Sequence, residues 1–150
     1  MTVDRIEREI AIAAPIERVW AMVTEAAHLG AWFGNGGPAE IDLWPGGRIA
    51  FNHGPHGPIP ARIEKIDRPH HFSYRWVVIG SDEEPADGNS TLVEFTLTED
   101  GAGTLLRMVE SGFTGLSGAE DVVRHRYEAN SAGLPRILQA LRRYTEQLVP

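Results

Sequence analysis

The sequence predicts an α+β domain in which one curved antiparallel sheet is covered by one long helix. Three observations carry that expectation. Seven short segments alternate apolar and polar residues as half-buried strands do, glycine and proline clusters separate several of them, and residues 117–148 carry an apolar stripe at helical spacing. A length of 150 residues suits a single domain over 1–150, since globular domains cluster at roughly 100–200 residues.

Residues 6–13 read as the first strand, with Ile6, Ile10 and Ile12 sharing one parity with Arg8. Ala13-Ala14-Pro15 ends it. Proline is at home in the first turn of a helix, and Ile16, Val19, Trp20 and Val23 follow at helical spacing. Thr24 is placed to cap a second short helix carrying Ala27, Leu29, Trp32 and Phe33, which the run 34–38 (Gly-Asn-Gly-Gly-Pro) stops. Residues 39–44 and 48–53 form a hairpin turned at Pro45-Gly46-Gly47, whose glycines can take the positive φ of a tight turn. Residues 59–66 and 71–78 pair next, turned at Asp67-Arg68-Pro69, with Phe72, Tyr74, Trp76 and Val78 on one face. Past the acidic loop 80–89, Thr91, Val93, Phe95 and Leu97 alternate, and after a turn at 99–103 so do Thr104, Leu106, Met108 and Glu110.

Ser117-Gly118-Ala119-Glu120 fits the capping box, in which serine accepts a backbone N–H and glutamate reaches back to the cap. The long helix then carries Val123, Tyr127, Asn130, Leu134, Ile137, Leu138, Leu141, Thr145 and Leu148 near one face. Pro135 lacks an N–H and its ring collides with the Ser131 carbonyl, so a kink or restart is expected there.

Composition excludes several functions. With 14 basic against 21 acidic side chains the formal charge is -7, which repels a phosphate backbone, so neither nucleic acid nor an anionic membrane is an expected partner. No apolar run approaches the ~18 residues of a membrane span. Residues 1–9 alternate charged and apolar side chains, unlike a secretory signal, and a cytoplasmic location is expected. With no cysteine there is no disulfide, thiolate metal site or cysteine nucleophile. The sequence has no phosphate-binding loop, dinucleotide glycine fingerprint, H-E-x-x-H or G-x-S-x-G, and no cofactor is expected.

The order of elements, with Ala14-Pro15-Ile16-Glu17-Arg18-Val19-Trp20, Pro45-Gly46-Gly47, Arg68-Pro69 before Phe72 and Trp76, and Gly103-Thr104 before Gly112-Phe113, resembles the START-like (SRPBCC) superfamily. Within it, the chain is similar to the family related to the activator of the heat-shock ATPase. The resemblance covers nearly the whole chain and implies a helix-grip fold: a curved seven-stranded antiparallel sheet, two short helices, and a long C-terminal helix covering a cavity. Such cavities often hold lipids, polyketides or other apolar small molecules. Many relatives carry a tryptophan after the helix glycine, where this sequence has Gly133-Leu134-Pro135.

Glu110 continues the parity of Leu106 and Met108, so it points toward the core. A desolvated carboxylate has a raised pKa, which makes Glu110 a candidate ligand anchor or general acid–base; alternatively it reaches water or pairs with an arginine such as Arg126. His53 shares the parity of Ile49 and Phe51 and could form a proton-moving pair with Glu110, or simply end its strand. Neither His53 with His56 nor His70 with His71 has the spacing of a preorganised metal site, and no metal is expected. Trp32, Phe33, Phe51, Tyr74, Trp76, Phe95 and Tyr127 either line a pocket or build ordinary core.

The leading expectation is binding of a small, largely apolar molecule by Trp32, Phe33, Phe51, His53, Tyr74, Trp76, Phe95, Glu110 and Tyr127. A co-chaperone-like module with a chaperone partner is the second. The region that carries the resemblance fills the chain, so the extra N-terminal domain of eukaryotic co-chaperones is not expected, which tells against this reading. A cyclase- or hydrolase-type enzyme using Glu110 with His53 or Tyr74 is the third, though no catalytic set stands out. A homodimer is expected from the exposed sheet edge.

Overall fold

The computed structural model describes residues 4–25, 28–29, 40–52, 58–77, 84–86 and 88–147, with backbone alone at 51, 52, 58 and 59. The chain runs β1 (Arg5–Ile12), α1 (Ile16–Thr24), β2 (Glu40–Ile41), β3 (Arg48–Asn52), β4 (Pro58–Asp67), β5 (His71–Val77), β6 (Ser90–Asp100), β7 (Gly103–Ser111), a short 3₁₀ turn (Phe113–Gly115) and α2 (Glu120–Gln147). The seven strands form one curved antiparallel sheet ordered β1-β7-β6-β5-β4-β3-β2, with a register shift between Ile63 and Lys65. This is the predicted α+β helix-grip architecture. Among the described residues, no helix is long and apolar enough to cross a membrane.

The core lies between the inner face of the sheet and the two helices. Ile6 and Ile12, then Leu106 and Met108, Val93, Phe95 and Leu97, Phe72 and Tyr74, and Ile63 supply the sheet side. Val19, Trp20 and Val23 of α1 and Leu134, Leu138 and Leu141 of α2 close it. Each such side chain stabilises the fold by about 1.5–3 kcal/mol on burial. Alternation places this set on one face, and the register aligns it across strands: Ile10 faces Leu106, Leu106 faces Leu97, and Met108 faces Phe95.

Glycine acts in two ways at the β2–β3 turn. Gly46 adopts φ +86°, whereas a Cβ on Gly47 would lie 1.9 Å from the Asp42 carbonyl oxygen, so a close backbone approach requires that second glycine. The turn is stitched to β4 by Gly46 N–H donating to Ile63 O and Ile63 N–H donating to Gly47 O, both at 2.8 Å. Within the turn, Trp44 N–H donates to Asp42 O at 2.9 Å and Gly47 N–H to Trp44 O at 2.8 Å, which leaves β2 shorter than the expected strand over 39–44.

Two local expectations about the long helix are corrected. Ser117 does not cap α2: its N–H donates to Gly88 O at 2.7 Å, Gly118 turns the chain at φ +127°, and the first helical bonds, from Val122 and Val123, end on Ala119 O. Nor does the helix restart at Pro135, since α2 runs unbroken over 28 residues. Proline removes one backbone donor, while burial of Leu134, Leu138 and Leu141 holds the flanking turns against the sheet. Of the second short helix, His28 and Leu29 are helical; the stretch with Trp32 and Phe33 lies outside the described residues.

Candidate functional site

Glu110 lies near the end of β7, opposite Ile6 of β1 and Val93 of β6, and is 4% exposed. The inward parity expected for it is therefore observed. Its Oε2 accepts hydrogen bonds from Thr91 Oγ1 at 2.6 Å and Trp76 Nε1 at 2.9 Å. Asn130 Nδ2 of α2 lies 3.2 Å from Oε1 and 3.3 Å from Oε2. Thr91 and Trp76 are directly opposed in the β5–β6 register, which brings both donors to the same carboxylate oxygen. Burial pushes the Glu110 carboxyl up from its ordinary value of 4.5; the bonds from Thr91, Trp76 and Asn130 and the Arg126 charge oppose that shift without cancelling it. Neutral donors thus take the place of the ion pair considered for Arg126. That guanidinium is half-buried, its own pKa lowered by desolvation and raised back in part by Glu110, and it makes no hydrogen bond or ion pair among the described residues.

A recess of about 220 Å³ opens beside Glu110 between the sheet and the first half of α2. Trp76, Val77, Thr91 and Glu110 form the sheet side, Asn89 and Leu116 come from loops, and Val122, His125, Arg126, Ala129 and Asn130 come from α2. Val122 is 58% exposed and marks the mouth, whereas Glu110 is the deep polar wall. The arrangement gives a partly apolar chamber with one anchored carboxylate and one guanidinium that is unpaired among the described residues.

The sequence-derived candidates separate into groups. Trp76 and Glu110 meet at the recess. Tyr74 and Phe95 lie in the core, their ring centroids 6.3 Å apart, and burial together with the Glu110 charge pushes the Tyr74 phenol up. Tyr127 stacks edge-on against Phe113 at 5.3 Å, and its hydroxyl donates to Arg5 O at 3.3 Å. Trp32, Phe33 and His53 lie outside the described residues, as does the side chain of Phe51. His70 Nδ1 lies 3.1 Å from Leu97 O and His71 Nε2 3.7 Å from Glu94, so the adjacent histidines engage different neighbours. Among the described residues no three His, Asp or Glu side chains converge as metal ligands. Thr91, Asn89 and Ala129 were not singled out as site residues from the sequence. Two signals mark the polar cluster: Thr91 and Glu110 are polar at core-parity positions of neighbouring strands, and Asn130 interrupts the apolar stripe of α2.

A long helix gripped by a curved seven-stranded sheet, with a recess between them, defines a protein of the helix-grip, SRPBCC class. A family model described as activator of Hsp90 ATPase homolog 1-like protein matches residues 13–146, and the chain belongs to that family. Among curated proteins no relative matches. Many solved structures are similar in fold, three of them as follows. Protein MLL2253 from Mesorhizobium loti is 23% identical, with TM-score 0.79 over 97% of this chain and 99% of that one. DynU16, from the dynemicin biosynthetic locus, is 21% identical, with TM-score 0.74 over 96% of this chain and 48% of that one. The Aha1 dimer from Colwellia psychrerythraea is 18% identical, with TM-score 0.71 over 96% of this chain and 97% of that one.

Proposed function

We propose that the protein binds a small, largely apolar molecule in the recess beneath α2, in the cytoplasm, and holds it without transforming it. One observation carries the reading: a carboxylate 4% exposed lines a chamber whose other walls include Trp76, Val77, Leu116, Val122 and Ala129. Burying a carboxylate is costly unless its lone pairs are satisfied, and a ligand that brings a polar end to Glu110 offsets part of that cost. The apolar body contributes roughly 25 cal/mol for each Å² it removes from water. At about 220 Å³ the recess falls below the ~300–1,000 Å³ of drug-sized sites, so it takes a one-ring molecule or the end of a longer one that protrudes past Val122. The test is a titration of the ¹⁵N-labelled protein with ethylbenzene, following the Trp76 indole N–H. A saturable shift that Ala129→Trp abolishes supports the reading; no shift at the solubility limit of the probe opposes it.

The family match favours a second reading, a protein-binding module that stimulates a heat-shock ATPase. Among the described residues Leu43 and Trp44, 42% and 59% exposed at the β2–β3 turn, are the apolar surface such a contact would use. Stimulated ATP hydrolysis by a heat-shock ATPase, lost in Trp44→Ser, would select this reading over the first. A weak homodimer is proposed with either, supported by the dimeric structural neighbour. Sedimentation showing only monomer at high micromolar concentration would rule it out.

A further inference from the structure

The two oxygens of Glu110 are not equivalent. Oε2 accepts from Thr91 and Trp76 at 2.6 and 2.9 Å and has Asn130 at 3.3 Å, whereas Oε1 accepts only from Asn130, at 3.2 Å. A carboxylate oxygen has two lone-pair sites, so Oε2 is filled and Oε1 retains an acceptor position. On the same recess Arg126 is a donor that makes no hydrogen bond or ion pair among the described residues. Among the described residues, one open carboxylate acceptor and one open cationic donor therefore share the recess; the other polar side chains on it are Thr91 and Asn130, which bond Glu110, Asn89, which bonds the backbone of Glu84 and Ala86, and His125, at an exposed position of α2.

This pairing selects by charge as well as by hydrogen bonding. A ligand ammonium attracted to Glu110 meets the Arg126 cation, and a ligand carboxylate attracted to Arg126 meets the Glu110 anion. Both conflicts are sharpened where water is excluded. A neutral head escapes both if it carries a donor for Oε1 and, on the same short group, a carbonyl oxygen for the guanidinium. We infer that the recess recognises neutral molecules with a primary amide or hydroxy-carbonyl head on an apolar body, the donor seated on Glu110 Oε1 and the carbonyl on Arg126. The inference rests on the ligand-binding reading and specifies the ligand class for that site.

A matched set of one-ring probes tests it: benzamide offers donor and acceptor, acetophenone an acceptor only, benzylamine a cationic donor, benzoate an anionic acceptor, and ethylbenzene neither. Dissociation constants are read at pH 7.5 from the Trp76 indole resonance. Benzamide is expected to bind at least tenfold more tightly than each of the others. Arg126→Gln, at a half-buried position that does not threaten the fold, should reduce the preference of benzamide over ethylbenzene severalfold. In Glu110→Gln the amide oxygen takes the bonds of Thr91 and Trp76, and the NH₂ faces the recess with the Asn130 amide turned to present its oxygen to it, so benzoate should gain at least tenfold relative to benzamide. Ethylbenzene binding as tightly as benzamide would overturn this inference and leave apolar binding standing. Benzoate binding best to the unsubstituted protein would overturn it as well. Failure of every probe to bind would remove both readings together.

Discussion

Glu110 holds a proton more tightly in the folded chain than in the unfolded one, because burial outweighs the donors around it. Between the ordinary value of 4.5 and the higher folded value the folded state binds more protons, so stability falls as pH rises through that interval. Glu110→Gln removes the titration while keeping the shape. The melting-temperature advantage of the variant over the unsubstituted protein is expected to grow from below pH 4.5 and level off above the folded value; a difference that shrinks with pH contradicts the argument. Thr91→Val is nearly isosteric and deletes the 2.6 Å bond, leaving an acceptor of a buried carboxylate unsatisfied. A loss of about 1–3 kcal/mol is expected from urea unfolding at pH 7, and an unchanged midpoint would show that the bond contributes nothing. The inward direction of Glu110 was legible from the parity of Leu106 and Met108. Its partners were not, because Trp76, Thr91 and Asn130 lie 34, 19 and 20 residues away in sequence and meet only through strand register and helix docking.

Strands were legible where alternation is strict, as at Thr91, Val93, Phe95 and Leu97, and their ends fall within a few residues of the expected ones. The helix termini and Pro135 were harder to read because tertiary contacts decide them. Ser117 is captured by Gly88 O, and the buried leucines of α2 keep the helix continuous across a residue that disfavours it. Proline in a helix interior is about 3 kcal/mol less favourable than alanine, while its restriction of the unfolded chain returns part of that. Pro135→Ala should therefore raise stability by about 1–3 kcal/mol, measured by denaturant unfolding with an unchanged slope. A loss of stability would mean that the proline ring is packed favourably enough to outweigh the missing backbone bond.

The whole fold joins its chain ends: β1 pairs with β7 along its full length, and α2 packs across β1. Ala13 N–H donates to Glu146 of α2 at 2.8 Å, and the Thr104 hydroxyl donates to Ala14 O at 2.8 Å, fastening the start of the chain to its last elements. No local pattern announces such pairing; the order of elements and the family resemblance did. The recess exists because α2 crosses the sheet where Glu110, Thr91 and Asn130 interrupt the apolar packing. Ala129 lines that space from an exposed helical position, so enlarging it fills the recess without disturbing the core. The most direct measurement is the ethylbenzene titration of the unsubstituted protein beside Ala129→Trp, read at the Trp76 indole N–H. A saturable shift is expected in the first and none in the second at equal melting temperature; equal shifts in both, or none in either, would contradict ligand binding in the recess.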